Sequence, residues 1–296
     1  MNKRRSITTI DRAVLDALAR AGLDYVRLPA EAELVQSAIS PDETPARRLA
    51  AMAGRGSLFR ISKGVYVVAR SGARTVRQAA DPQLLLAAMF EGRKPYYLGF
   101  LNTLAEHGLT DESVTGLRVA VSEPMRRTMD LAGTMLVTTT VRPDDELKQG
   151  AGEVVDSRWP GVERVRIRGR MFYSRASPER TLVDTLDRPN LCGASELWVR
   201  AWARALRDRE QLDLSLLLHI ARSRSRAVAA RCALLLRELG HSREGELLAP
   251  RPVTGKVLFD AASAAPTAES WRRDRATGVV MNVPIDTVRG WLEYGK

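Results

Sequence analysis

Cysteine, histidine and long apolar runs are all scarce in this sequence of 296 residues. Two cysteines cannot supply a disulfide framework in a chain of this length. The apolar runs, such as 216–218 and 233–236, are far too short to span a bilayer. The basic start at 3–5 is followed by charged residues from Asp11 onward rather than by an apolar segment, so we expect no secretion signal. These absences predict a cytoplasmic protein with no membrane partner.

Acidic residues are missing from one segment of a chain whose net charge is +11. Residues 1–80 hold 14 Lys and Arg against 7 Asp and Glu, whereas residues 81–296 hold 32 against 28. From Thr44 to Ala80 there are eight basic residues and no acidic one. A surface that is rich in arginine throughout the chain would not explain why Asp and Glu are absent from this one segment only. The pattern therefore favours a polyanionic partner for the amino-terminal part of the chain.

The first 75 residues carry the element order of a winged helix-turn-helix: helix, short strand, two helices and a two-stranded hairpin. Thr44 followed by Pro45 is a strong helix start, because it places a cap before a proline at the first helical position. The predicted elements are a helix over 10–21 capped by Thr9, a strand over 25–28, a helix opened by Pro29, a helix from Thr44 to about Gly54, and a hairpin over 55–70 turning at Lys63-Gly64. In the first helix we expect an apolar face containing Ile10 and Val14.

The third helix has the two faces that a recognition helix needs. At 100° per residue its arginines share one side, while Leu49 and neighbouring alanines occupy the other. The basic side can then enter the major groove of DNA while the wing approaches phosphate. The candidate DNA-binding residues are Thr44, Arg47, Arg48, Arg55, Arg60 and Lys63. The sequence leaves open which arginine contacts bases, and winged helices also serve as protein-binding modules.

Residues 80–296 predict a second, larger α+β domain in which helices and strands are segregated. The predicted helices are 84–90, 96–107, 178–186, 195–206, 212–221 and 226–239, and the predicted strands are 117–121, 135–141, 162–167, 170–174 and 277–283. The whole chain is thus an α+β protein with an amino-terminal winged helix-turn-helix.

No catalytic constellation emerges from the sequence. The three histidines have no second His or Cys at a metal-ligand spacing. The Gly255-Lys256 pair lacks both the first glycine and the Ser or Thr of a phosphate-binding loop. We therefore predict that the protein is not an enzyme, with no catalytic residue, no cofactor and no metal. An enzyme acting on a toxin or a nucleotide is the minority alternative.

Four pieces of the chain, in this order, resemble the AbiEi family of antitoxins from type IV toxin–antitoxin systems of abortive infection. The segment around Ser177-Pro178-Glu179 is the most specific of them. The pieces are LFRISKGVYVV at 58–68, YYLGFLNTLAEHGLT at 96–110, RMFYSRASPERTLVDTLDRP at 170–189 and WRRDRATGVVMNVP at 271–284. The resemblance spreads from the wing to the tail.

The resemblance implies a function in phage defence. Members of that family bind inverted repeats in their own promoter through the winged helix, repress the operon and counteract a co-encoded nucleotidyltransferase toxin. The resemblance therefore implies double-stranded promoter DNA as a partner and the toxin as a functional partner, with direct contact left open. The alternative is a winged-helix transcription regulator that responds to a ligand and has no toxin partner.

Overall fold

A computed structural model gives the fold of this chain. It describes residues 7–69, 73, 75–131, 133–142, 159–207, 212–249, 251–262 and 271–294. Helices and strands are both present, and the six-stranded sheet contains both parallel and antiparallel pairs, so the predicted α+β class is confirmed. Within these ranges no helix is both long enough and apolar enough to cross a bilayer.

The amino-terminal elements follow the predicted winged-helix order. They are α1 (Thr9–Arg20), β1 (Tyr25–Arg27), α2 (Ala32–Gln36), α3 (Pro45–Arg55), β2 (Leu58–Ser62) and β3 (Val65–Val68). Thr8, rather than Thr9, caps α1 by accepting a hydrogen bond from the backbone N–H of Asp11. Helix α2 begins three residues after Pro29, because the intervening residues form a turn. The three strands pair antiparallel in the order β1-β3-β2.

A small apolar core holds these elements together. Its buried side chains come from all three helices and all three strands: Val14, Leu18, Val26, Val35, Leu49, Met52, Leu58 and Tyr66. Ile10 was expected on the apolar face of α1, but its side chain is exposed. Asp11 takes the buried position beside it, one helical turn before Val14.

A six-stranded mixed sheet follows, in the strand order β6-β7-β5-β4-β9-β8. Its strands are β4 (Tyr96–Leu98), β5 (Leu117–Val121), β6 (Thr128–Leu131), β7 (Thr134–Thr140), β8 (Val162–Arg168) and β9 (Met171–Ala176). Residues 96–98 were predicted to begin a helix, which was wrong. These three apolar residues form a buried strand, and Phe100, with φ of +61°, separates that strand from the helix that follows.

The remaining elements are mainly helical. They are α4 (Val76–Ala79), α5 (Pro82–Phe90), α6 (Leu101–Glu106), α7 (Pro178–Asp187), α8 (Ser195–Arg207), α9 (Leu214–Ser223), α10 (Arg226–Glu238), α11 (Ser242–Leu248), β10 (Arg272–Arg273), β11 (Val280–Met281) and α12 (Ile285–Tyr294). Helix α12 was not predicted from the sequence. The predicted strand over 277–283 is reduced to the two residues of β11.

The chain divides into two compact units. Unit 1 comprises Met1–Tyr97, Thr115–Arg142 and Arg164–Ser174, and unit 2 comprises Leu98–Val114, Pro143–Glu163 and Arg175–Lys296. The predicted boundary between domains at 1–75 and 80–296 stays a prediction, and residues 70–72 and 74 beside it lie outside the described residues.

The two units differ sharply in charge. Unit 1 contains 24 Lys and Arg against 11 Asp and Glu, a net charge of +13. Unit 2 contains 22 against 24, a net charge of −2. The excess of positive charge in the whole chain therefore belongs to the unit that contains the winged helix.

A buried polar network surrounds the first turns of α7 in unit 2. Ser177 caps the helix by accepting a hydrogen bond from the backbone N–H of Arg180, at 3.3 Å. The Arg180 guanidinium pairs with Asp184 at 3.1 Å, and neither side chain reaches solvent. Glu179 accepts hydrogen bonds from the Ser177 hydroxyl, at 2.7 Å, and from the backbone N–H of Asp213, at 2.8 Å. The segment that is most specific to the AbiEi resemblance is thus part of the packed interior of unit 2.

We expect Asp184→Asn to lower the free energy of unfolding by about 3–5 kcal/mol, because it leaves the buried Arg180 charge without its carboxylate. The matched control is Glu196→Gln. It breaks the Arg200–Glu196 pair, which has the same four-residue spacing on a helix but exposed side chains. That control is expected to cost less than about 1 kcal/mol. Urea unfolding checks both values, and similar small losses in the two variants would contradict the proposed role of the buried pair.

Candidate nucleic-acid interface

Local sequence signals position α3 as the candidate recognition helix. Thr44 has extended backbone angles, and its hydroxyl accepts a hydrogen bond from the Arg47 backbone N–H, at 3.4 Å. Pro45 occupies the first helical position, and Gly56, with φ of +77°, ends the helix in the left-handed conformation that favours glycine. Leu49 and Met52 are fully buried on the inner side. The predicted start of this helix is confirmed, and Leu49 is buried as predicted. Ala46 was expected on the same inner face but is exposed, and Met52 is buried instead.

The carboxylate of Asp11 in α1 organises two of the three arginines of α3. Asp11 has no exposed surface. It accepts hydrogen bonds from Nε and Nη2 of Arg55, at 2.8 and 2.6 Å, and lies 3.4 Å from Nη1 of Arg48. The same carboxylate accepts from the backbone N–H of Thr8, which completes a capping box at the start of α1. One buried acid therefore joins the first helix to both ends of the third.

These contacts determine the charge state of Asp11. Burial alone would raise the pKa of its carboxyl group, but the hydrogen bonds from Arg55 and Thr8 outweigh burial, and the pKa is lowered. The carboxylate is therefore ionised at neutral pH and holds two guanidinium groups in fixed positions.

The three arginines of α3 are consequently not equivalent. Arg48 is hydrogen-bonded to Glu43 as well as Asp11, and only 12% of its side chain is exposed. The side chain of Arg55 is 31% exposed and is held by Asp11. Arg47 is exposed, and its side chain forms no ion pair with any residue that the structure describes.

The wing supplies two further cations. Arg60 is exposed on β2, where its Nε donates to the carbonyl oxygen of Ser62, at 3.3 Å. Lys63 is exposed at the turn between β2 and β3, next to Gly64, whose φ is +73°. Neither forms an ion pair with a described residue. Both predicted wing cations are thus free to meet an anion from solvent.

Sequence reasoning missed Asp11, although a signal for it was available. An acid at position 11, three residues before Val14 and seven before Leu18, lies on the buried face of an amphipathic helix. A buried carboxylate needs a cationic partner, but those partners are 37 and 44 residues away in the sequence. The need for a partner could be predicted, whereas its identity could not.

Unit 2 contains several cavities. One of them has a volume of about 750 Å³ and is lined by residues that include His107, Arg204 and Arg207. His107 is hydrogen-bonded through Nε2 to the carbonyl oxygen of Ala176, at 2.8 Å, and burial lowers its pKa. No group of three or more His, Cys, Asp or Glu side chains in the described ranges is arranged to hold a metal ion.

We expect Asp11→Asn to lower the free energy of unfolding at pH 7 by about 1–3 kcal/mol, because charge-assisted hydrogen bonds from Arg48, Arg55 and Thr8 are lost. Since the pKa of Asp11 is lowered by folding, its contribution is present above the ordinary carboxyl pKa near 3.9 and is lost as the pH falls through the folded value. The difference between parent and variant should therefore shrink below about pH 4.

Urea unfolding of parent and variant at a series of pH values measures that difference. A gap between the two proteins that stays constant down to pH 2 would contradict an ionised, arginine-bound Asp11.

Comparison with known proteins shows a similarity to a solved structure. Neither the family models nor the curated proteins yield a match to this sequence. Among solved structures, the crystal structure of the RV2827C protein from Mycobacterium tuberculosis is similar, with a TM-score of 0.64 and 17% sequence identity. The alignment covers 99% of this chain and 97% of the mycobacterial chain. The similarity shows a shared fold over nearly the whole length of both proteins.

Proposed function

We propose that this chain is the antitoxin of a type IV toxin–antitoxin system, a transcriptional autorepressor that binds inverted repeats in its own promoter and counteracts a co-encoded nucleotidyltransferase toxin. The proposal has a DNA-binding half and an antitoxin half, and each has its own support and its own test.

The DNA-binding half is supported by one observation above the others. The winged helix lies in a unit whose net charge is +13, and Arg47 of its third helix and Arg60 and Lys63 of its wing are exposed and form no ion pair with a described residue. Exposed arginine and lysine side chains neutralise phosphates and release counterions, which gives affinity that falls with salt. Base contacts from the start of the third helix then supply specificity.

The antitoxin half is supported by the AbiEi resemblance, whose most specific piece forms the buried network around α7. The test is growth of cells that express the toxin gene adjacent to this one, with and without this chain. Rescue of growth supports the proposal. Failure of rescue by a folded chain, or the absence of a nucleotidyltransferase gene beside it, contradicts the antitoxin half alone.

A ligand-responsive regulator without a toxin partner is the second candidate. It is favoured by the cavities of unit 2, whose volumes of about 750, 580 and 460 Å³ lie in the range that holds small molecules. A metabolite extract that changes the affinity of the protein for promoter DNA would support this candidate, and no change would leave the antitoxin proposal preferred.

The first experiment is fluorescence anisotropy of labelled DNA from upstream of the gene, with unrelated DNA as competitor, at two salt concentrations. Binding that survives the competitor supports a sequence-specific repressor. Equal affinity for both DNAs, lost at high salt, would contradict specific repression.

We expect Arg47→Ala to weaken specific binding by about 5- to 150-fold, the equivalent of 1–3 kcal/mol for one guanine contact, and to lower the preference over competitor DNA. The reason is that Arg47 lies in the first turn of α3, is exposed and forms no ion pair with a described residue. Arg48→Ala should instead reduce stability, because it breaks the contacts with Asp11 and Glu43, and should leave the affinity of the folded protein within about twofold.

The matched control is Arg226→Ala. Arg226 is also an exposed arginine in the first turn of a helix, after the Ser225 cap of α10, and forms no ion pair with a described residue. It belongs to unit 2, so its loss should leave DNA affinity unchanged. A loss of specific affinity in folded Arg48→Ala but not in Arg47→Ala would overturn this assignment.

A further inference from the structure

The carboxy-terminal part of the chain forms a cavity in unit 2. Its volume is about 460 Å³, which lies in the range of sites that hold small molecules. Its walls come from the second half of α10, from the β10–β11 hairpin and from the start of α12. The hairpin belongs to the segment 271–284, the last piece of the AbiEi resemblance, which neither half of the proposed function uses. The described residues that line the cavity all belong to this one unit.

Part of the lining of this cavity is apolar. Leu234 of α10 and Met281 of β11 line it and are buried, with 1% and 7% of their surface exposed. Pro284 and Ile285 add apolar surface at the start of α12. Such a lining favours a ligand with a hydrocarbon body, because binding removes that body from water.

The acidic side chains of the lining already have partners. Glu238 accepts a hydrogen bond from Nε of Arg289, at 2.8 Å, and Asp286 lies 3.7 Å from the same guanidinium group. Asp274 accepts from the backbone N–H and the hydroxyl of Thr277, at 2.7 and 2.6 Å. Because these carboxylates are compensated locally, they do not require a cationic ligand, and they disfavour a ligand that carries several negative charges.

The arginines of the lining differ in how they are used. Arg273 donates to the carbonyl oxygens of Gly255 and Gly278, at 2.7 and 3.0 Å, and Arg289 is shared by two acids. Arg272 is exposed and forms neither an ion pair nor a hydrogen bond with a described residue. Its guanidinium group is therefore available to an anion that enters the cavity.

The pairing of the hairpin places this cation beside the apolar lining. Arg272 is directly opposite Met281 in the antiparallel register. Directly opposite residues project their side chains to the same face, and both of these residues line the cavity. A guanidinium group is a planar donor that matches a carboxylate through two parallel hydrogen bonds. The cavity thus presents one group that suits a carboxylate next to apolar surface.

We propose that this cavity binds a small monocarboxylic acid with an apolar body, whose carboxylate pairs with Arg272 while its body packs against Leu234 and Met281. The formal charges of the described lining residues cancel, with three arginines against three acids, so a monoanion fits the site better than a dianion. The inference goes beyond the proposed function and holds whether or not the chain binds DNA. It also names the class of ligand that the second candidate function would require.

The test is a titration with 4-phenylbutyrate, which combines an aromatic body with one carboxylate. The protein carries isotope-labelled methionine methyl groups, and the nuclear magnetic resonance signal of Met281 is assigned by its loss in Met281→Leu. We expect that signal to shift saturably with the acid. The amide of the same acid should bind about 10- to 150-fold more weakly, because it lacks the charge that strengthens the hydrogen bonds to Arg272.

Two substitutions of Arg272 and one control locate the charge that binds the carboxylate. Arg272→Met keeps an apolar stem without the charge and should weaken binding of the acid by the same factor, whereas Arg272→Lys should retain part of the affinity. The matched control is Arg275→Met. Arg275 is exposed in the turn of the same hairpin, is not part of the lining and forms no ion pair with a described residue. The control should bind as the parent does, and urea unfolding should give the same midpoint for the parent and all three variants.

No saturable shift of the Met281 signal at millimolar 4-phenylbutyrate overturns the inference. Equal affinity for the acid and its amide, or parental affinity in Arg272→Met, overturns it as well. Equal losses in Arg272→Met and Arg275→Met would indicate a general attraction of anions to the hairpin and would likewise contradict the site. The titration contains no DNA, so none of these results bears on the proposed repressor.

Discussion

A carboxylate that has lost all contact with water must be matched by cations where it lies, and Asp11 meets this condition in the candidate DNA-binding surface. Its contacts hold Arg55 and Arg48 against the first helix, so two of the three positive charges of α3 serve the fold. Arg47 is left as the exposed arginine of that helix. The same constraint therefore stabilises the module and determines which arginine of α3 is left exposed to solvent.

Unit 2 also contains a buried ion pair between a guanidinium group and a carboxylate, but here both side chains lie in the interior. The pair of Arg180 and Asp184 lies in the interior, together with Glu179 and several hydroxyl groups. Its residues are those on which the AbiEi resemblance most depends, yet no member of the pair reaches solvent. The pair therefore belongs to the packed interior of unit 2, and the similarity to the mycobacterial structure likewise concerns the fold.

Features encoded by neighbouring residues were predictable, and features that join distant segments were not. The cap at Thr44 with Pro45 and the β8–β9 hairpin follow from local signals, and both were predicted. The strand at 96–98 was misassigned because Tyr96, Tyr97 and Leu98 suit a buried helix or a buried strand equally well. The pairing of Arg48 and Arg55 with Asp11, which leaves Arg47 without an ion pair among the described residues, joins segments far apart in the chain that a single sequence does not connect.

In unit 1, a Cβ atom on Gly169 would lie 2.9 Å from the carbonyl oxygen of Gly22. This close approach restricts how the segments of unit 1 can be exchanged between related proteins. The two glycines are 147 positions apart, yet a side chain on Gly169 would meet the opposite backbone. A mutation at either glycine therefore limits what the other segment tolerates. A chimaera that receives a foreign winged helix without the matching hairpin combines two surfaces that were never selected together. Unit 1 is thus discontinuous in the gene, and we expect recombination that separates its parts to disrupt it even when each part is intact.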